Sequence, residues 1–292
     1  MRHHIHTAFI AALVAALITL FLPRPAGVPV SAPTAKESTF DRIMRTGEIR
    51  CGYFNYAPAF MTDANSGTHS GILHDIFQEL GKSLQLKIVW AQEINLGTFL
   101  EDLNRGRYDL ECAGGWPNAL RGRKIDYTSA LFYAPIYAYG RKDDYRFDTA
   151  YASINNPSVR IATIDGEYTA TLQNRRFSQS TNIGLPQGSH LSELTQNVLT
   201  DKADLLITDR ASFLDYDRKN PGQLRQVAGP PVSITTFTIA LPGGETRLQN
   251  MLNTALDELR HDGVIDSILD KYETDPGTYL RIAPPYLIPA GE

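Results

Sequence analysis

Few side chains in this 292-residue chain stand in a pattern that chemistry would need. Glu111 lies between Leu110 and Cys112 in a run that reads as a strand. A buried, unpaired carboxylate there would be costly and its pKa would rise, which can mark a functional acid; a paired or edge-exposed carboxylate is the alternative. Asp209 closes the apolar run Leu205-Leu206-Ile207-Thr208, so it stands at a strand end, where aspartate also commonly caps a following helix. The two cysteines, Cys51 and Cys112, have no metal-motif spacing. In an exported protein they could bridge; two buried thiols are the other reading. The histidines beyond the N-terminal segment (His69, His74, His190 and His261) are scattered, so no metal site is expected. The chain has no Gly-x-Ser-x-Gly, no His-Glu-x-x-His and no Gly-rich loop ending in Lys-Ser/Thr. No catalytic residue and no cofactor is expected.

The elements that would position these groups alternate. Phe40–Thr46 reads as a short helix stopped by Gly47, and Glu48–Phe54 as a strand. Gly71–Leu84 carries Ile72, Leu73, Ile76, Phe77, Leu80 and Leu84 at helical spacing. Strand Leu86–Ala91, a helix marked by Phe99, Leu100 and Leu103, and strand Tyr108–Gly114 follow. This β-α-β-α-β order predicts a parallel sheet covered by helices. After a tyrosine-rich extended run, Leu131–Arg141, the alternation restarts. Strands are expected at Val159–Ile164, Ile183–Pro186 and Ala203–Thr208, with helices from Thr169, over Leu191–Asp201 and from Arg210. A second long extended run, Val232–Leu241, precedes helices Arg247–Arg260 and Val264–Tyr272; the Pro-containing tail from Thr274 should be irregular. The fold class is α/β, with two lobes and two long extended connections.

Composition agrees: 42% hydrophobic and 21% charged residues, with 22 glycines and 17 prolines, are globular values. They exclude a disordered chain, a collagen and a small cysteine scaffold. A net charge of −4 supplies no basic excess for nucleic acid, so no nucleic-acid partner is expected. Residues 1–35 read as an export segment. Arg2 precedes the apolar run Ala8–Leu22, which Pro23-Arg24-Pro25 ends. That run is shorter than the about 20 residues of a membrane span, although the cleavage region is poor in form, and an uncleaved membrane anchor is the alternative. Ala26–Thr39 is rich in Pro, Ala, Ser and Thr and reads as a linker.

Several ordered motifs resemble the periplasmic solute-binding proteins of family 3, the polar amino-acid receptors of ABC importers. Gly47-Glu48-Ile49-Arg50-Cys51-Gly52 is similar to the family's opening Gly-x-Leu-Arg-Val-Gly strand. Tyr56-Ala57-Pro58-Ala59-Phe60 resembles its Tyr-x-Pro-Phe element, with one residue extra. Gly71-Ile72-Leu73-His74-Asp75-Ile76, Leu103 through Asp109, and Arg121-Gly122-Arg123-Lys124-Ile125-Asp126-Tyr127-Thr128 follow in family order. Lys202-Ala203-Asp204, Asp209 and the ending from Leu259 to Tyr272 complete the likeness. The resemblance implies a type II periplasmic binding protein, two Rossmann-like lobes joined by a two-strand hinge. Lobe 1 would be discontinuous, 40–137 plus 240–272; lobe 2 would be 140–238, and 273–292 an irregular tail. The lobes would close by hinge motion on a ligand at their strand ends.

The resemblance also implies a site. Arg121 matches the arginine that holds a ligand carboxylate, a planar fork suited to two parallel charge-assisted bonds. Asp209 matches the aspartate that takes the ligand ammonium, and Tyr56 the aromatic that stacks on the ligand. Five positions depart from the family. Trp116 and Asn118 stand where it has hydroxyl side chains, Glu167 and Tyr168 replace its Gly-Thr-Thr turn, and Tyr53 replaces a ligand aspartate. Asp109, Asp126 and Asp204 are read as structural. The expected protein is a periplasmic receptor, likened to a monomer, that passes a small polar or zwitterionic molecule to an ABC-type permease. A dehydratase on the same fold, with Glu111 or Glu167 as acid, and a membrane-tethered sensor domain are the alternatives.

Overall fold

The computed structural model describes residues 37–148 and 151–283. The expected export segment and most of the linker lie outside the described residues, as do the last residues of the tail. Among the described residues, no helix is long and apolar enough to cross a membrane.

The first half runs α1 (Thr39–Thr46), β1 (Glu48–Tyr53), β2 (Met61–Thr62), β3 (His69–Ser70), α2 (Ile72–Leu84), β4 (Lys87–Glu93), α3 (Phe99–Asn104), β5 (Leu110–Gly115), β6 (Ile125–Tyr127) and β7 (Phe132–Arg141). The second runs β8 (Arg160–Ile164), α4 (Tyr168–Arg176), β9 (Thr181–Leu185), α5 (Leu191–Leu199), β10 (Leu205–Asp209), α6 (Arg210–Lys219), β11 (Leu224–Gln226) and β12 (Ser233–Pro242). Helices α7 (Thr246–His261) and α8 (Val264–Tyr272) follow. The main elements match the periodicity. The sequence reading missed β2, β3, β6 and β11, which are two or three residues long and too short to show a period.

Local chemistry fixes the ends. Ser38 Oγ accepts from Asp41 N at 3.0 Å and starts α1. Gly47 ends it in the left-handed region, where its N–H reaches the Ile43 carbonyl. In α2, Ile72, Leu73, Ile76, Phe77 and Leu80 are buried on one stripe.

Strands pair in the order β4-β1-β5-β12-β7-β10-β8-β9. β1 is parallel to β4 and β5; β8 is parallel to β9 and β10. These two α/β halves are joined by β7 and β12, each ten residues long and antiparallel from Ser233 opposite Ile136 to Phe237 opposite Phe132. Strand β7 serves both cores, and β12 does so together with the residue that precedes it. Phe132 and Ala134 of β7 pack in the core built on α2 and α7, and Ile136 and Ala138 in the core built on β8 and β10. Phe237, Ile239 and Leu241 of β12 enter the first core, with Val232 just before it in the second. This is the two-strand hinge expected from the extended runs.

Cys51 on β1 and Cys112 on β5 form a disulfide with Cα atoms 5.5 Å apart, which decides between the two readings of the cysteines. Asp109 bonds the Arg50 backbone N–H at 2.6 Å and pairs with Arg42; Asp204 bonds Arg160 N at 2.8 Å and Arg146 Nη2 at 2.8 Å; Asp126 bonds Gly244 N at 2.8 Å. All three serve the fold, as read. The described part of the tail forms no helix or strand, but it is packed: Leu280 exchanges two backbone hydrogen bonds with Tyr133, at 2.8 and 2.9 Å, and Tyr279 is buried edge-on against Phe132.

Candidate functional site

A cavity of ≈ 490 Å³ lies between the two halves, within the usual range for small-molecule sites. The first half contributes Phe54, Tyr56, Leu96, Phe99, Glu111, Trp116, Arg121 and Tyr127 to its wall. The second contributes Ile164, Glu167, Leu191, Leu194, Ile207, Ser212, Tyr216 and Lys219. The wall is mainly aromatic and aliphatic, with a few charged groups set into it.

Arg121 begins a 3₁₀ turn, Arg121–Arg123, and is 8% exposed. Asn118 builds that turn: its Oδ1 accepts from Arg121 N at 2.9 Å and its carbonyl from Gly122 N at 3.0 Å. Asn118 therefore presents Arg121 and is not itself on the wall. The guanidinium lies 4.9 Å over the Phe99 ring, and its Nη2 donates to Glu167 Oε1 at 2.5 Å. Glu167 occupies the N-cap position of α4 but makes no side-chain cap, so its carboxylate is free to reach across the cavity. A carboxylate of the protein thus sits on the arginine where the resemblance puts a carboxylate of the ligand.

Asp209 is 1% exposed and caps α6. Its Oδ1 accepts from Ser212 N at 2.9 Å; its Oδ2 accepts from Ser212 Oγ and from Tyr56 Oη, both at 2.7 Å. The cap foreseen for Asp209 is present. Tyr56 and Ser212 reach the cavity and Asp209 does not. Burial, reinforced by the Asp209 charge, raises the Tyr56 phenol well above its ordinary pKa, so it stays a donor. The Tyr56–Asp209 bond, like Arg121–Glu167, ties one half to the other.

Trp116 is on the wall and packs against both cores. It meets Tyr56, Phe237 and Tyr168 edge-on with centroids 6.2, 6.2 and 5.8 Å away. Just before it, Gly114 has φ +94°, and a Cβ there would lie 2.7 Å from the Phe237 ring, so this turn requires glycine. Tyr168 stands behind the wall, its Oη 2.9 Å from Ser233 Oγ. Tyr53 is away from the cavity, in a cluster with Phe60, His69 and Trp90 at 5.4, 4.7 and 6.3 Å. Of the eight residues named from the sequence, the structure brings Tyr56, Trp116, Arg121 and Glu167 together on the wall; Asn118, Tyr168 and Asp209 support them, and Tyr53 lies elsewhere.

Glu111 is also on the wall, 3% exposed. Its Oε1 accepts from Ala113 N at 2.7 Å, and its Oε2 is buried without a partner. Burial pushes this carboxyl up to about 7, against the pull of backbone N–H groups and of Arg121. Burial also pushes Tyr127 up to about 12. Sequence reasoning did not place Phe54, Leu96, Phe99, Tyr127, Tyr216 or Lys219 at the site. Their types gave no signal: Phe99 reads as a helix core residue and Tyr127 as part of a strand motif. Among the described residues no group of His, Cys, Asp or Glu could hold a metal ion.

A sequence model of the bacterial extracellular solute-binding proteins, family 3, matches residues 49–275. The chain is 23% identical over 207 residues to an amino-acid-binding protein of Dichelobacter nodosus, covering 70% of this chain and 80% of the relative. It is 20% identical over 270 residues to a probable histidine-binding protein of Campylobacter jejuni, covering 91% and 99%. Among solved structures, an ancestral amino-acid-binding protein described as a precursor of cyclohexadienyl dehydratase superposes with a TM-score of 0.69 at 22% identity, covering 81% of this chain and 99% of that one. A histidine kinase sensor domain similar to periplasmic binding proteins superposes with a TM-score of 0.67 at 17% identity, covering 80% and 98%. These structures share the two-lobed fold. The chain belongs to family 3 of the bacterial extracellular solute-binding proteins.

Proposed function

We propose that this family member is a periplasmic receptor that closes around a small polar or zwitterionic, amino-acid-like ligand and delivers it, as a monomer, to an ABC permease. Its lobes are 40–137 with 240–272, and 140–238. The observation that carries the reading is the cavity between the halves, across which Arg121 and Glu167 meet at 2.5 Å. Groups from both lobes converging on one enclosed space are what a hinge-closing binder needs, because the ligand then stabilises the closed state.

The wall favours a ligand with a flat or cationic part. Phe54, Tyr56, Phe99 and Trp116 supply ring faces and edges, and Glu111 and Glu167 supply carboxyl groups. A thermal-shift screen over the twenty amino acids, polyamines, aromatic acids and small organic acids tests this. Ligands that bind only the folded chain raise the melting temperature, by a free energy of about 2.7 kcal/mol at a hundredfold excess over Kd. Strong shifts are expected from larger or cationic compounds. Shifts from glycine, alanine or serine alone would refute this view of the pocket, and no shift from any compound would refute the receptor.

A dehydratase is the second reading, favoured by the Glu111 carboxyl, which titrates near neutrality on the cavity wall. Turnover of a prephenate-like acid would establish it; binding without turnover supports the receptor.

A further inference from the structure

Of the three carboxyl groups that line the cavity, Glu167 pairs with Arg121 and Asp215 with Lys219, which leaves Glu111 outside both ion pairs. It lies on β5 between two uncharged neighbours, Gly52 of β1 and Ala240 of β12. The titratable and charged groups acting on it are Tyr108 before β5, Arg121 in the turn after it and Tyr127 on β6; Glu167, Asp215, Lys219 and His190 line the same cavity. None of these bonds its Oε2, which is buried without a partner. Arg121 acts on Glu111 by charge alone, since its ion pair is made with Glu167. Gly115 leaves this oxygen room: a Cβ there would lie 3.0 Å from Oε2.

We propose that Glu111 reads the cationic group of the ligand and that binding this group expels the Glu111 proton to solvent. The inference rests on the receptor reading. A carboxyl held in a largely apolar cavity keeps its proton to higher pH, here up to about 7, because burial penalises its charge. An ammonium or guanidinium entering that cavity reverses the preference, since a close opposite charge favours the carboxylate. The arriving cation gains the aromatic faces of Tyr56, Phe99 and Trp116 as well. The carboxyl groups of the occupied cavity are then balanced by pairs: Glu167 with Arg121, Asp215 with Lys219, and Glu111 with the ligand cation.

The sign of the linkage follows. With Glu111 at about 7 in the empty cavity and lower in the occupied one, binding releases close to one proton at pH 6 and little at pH 8. The competent ionised fraction rises over that interval, so apparent affinity rises about tenfold from pH 6 to pH 8 and flattens above it.

Titration calorimetry with L-lysine, L-arginine and putrescine at pH 6, 7 and 8, in buffers of different ionisation enthalpy, reads both quantities. The expected result is proton release that fades with pH while affinity climbs. Glu111→Gln should bind weakly, release no proton and show a flat pH profile. Difference infrared spectroscopy of the unmutated protein gives a measurement independent of that variant: saturation should remove one carboxylic-acid carbonyl band. Binding of these amines without proton exchange, or with proton uptake, would overturn the role of Glu111 and leave the receptor reading standing. Failure of all three amines, with other compounds of the screen binding, would also overturn it. Failure of every compound would remove the receptor reading itself.

Discussion

The Arg121–Glu167 contact should contribute to closure, and its size can be worked from its surroundings. The contact is 2.5 Å long and its two side chains are 10% and 23% exposed. Exposed ion pairs measure about 0.2–1 kcal/mol. Removing one partner of a buried pair costs about 3–5 kcal/mol, because a charge is left buried and unpaired. A half-sheltered pair belongs between these, at about 1–2 kcal/mol, or roughly a 5–30-fold change in the closed-to-open ratio. The loss should appear in closure and not in folding, since an opened cavity lets water solvate whichever charge remains. The assay is a distance distribution between spin labels on exposed positions of the two lobes, with cysteines introduced at Met44 and Lys142. Arg121→Ala and Glu167→Gln should each broaden the distribution toward longer distances. The double variant should open no more than the worse single one, because the second removal has no contact left to break. Strictly additive effects, or distributions unchanged from the parent, would refute the idea that this pair holds the lobes together.

Two further outcomes follow from the fold. Reducing the Cys51–Cys112 disulfide frees a loop of 61 residues, for which loop-closure entropy gives about 4 kcal/mol. Denaturation of the Cys51→Ala, Cys112→Ala protein should show a large loss of stability, and a change below about 1 kcal/mol would contradict it. Asp204→Asn should cost about 1–2 kcal/mol at pH 7, since a buried acceptor is lost but Arg146 and Arg160, 53% and 34% exposed, can turn to water. Bonds from Arg160 and Arg146 hold the Asp204 carboxyl well below the usual carboxylate range, against the opposing effect of burial. Its contribution is therefore complete above about pH 4 and fades as pH falls through the lowered value. Acid titration of stability should be shallower in the variant than in the parent; equal slopes would count against this network.

The main elements were legible because burial imposes period on sequence. The stripe Ile72, Leu73, Ile76, Phe77, Leu80 cannot be read as anything but a one-sided helix, and α2 is where it predicts. The hinge was legible through the resemblance and two long extended runs, of which β7 passes from one core into the other. The site was legible only in part. Arg121 and Tyr56 could be found through ordered motifs, whereas Phe54, Leu96 and Phe99 look in sequence like any core residue. Tyr53 shows the converse error. It occupies a position that the family uses for a ligand, but its ring satisfies itself against Phe60 and His69 instead.

Asp209 and Glu167 show why residue type alone could not finish the assignment. Each is a carboxylate at the N-terminal position of a helix, α6 and α4 respectively. Asp209 accepts from Ser212 N, Ser212 Oγ and Tyr56 Oη, so both of its oxygens are engaged where it is buried. Glu167 makes no cap, and its charge goes across the cavity to Arg121. The difference lies in the third residue of each helix: Ser212 returns two bonds to Asp209, while the corresponding Ala170 offers Glu167 no side-chain donor. Ser212 thus holds Asp209 in its helix cap, where Tyr56 of the other half also reaches it, while Glu167, with no such side-chain donor beside it, faces the arginine of the opposite half.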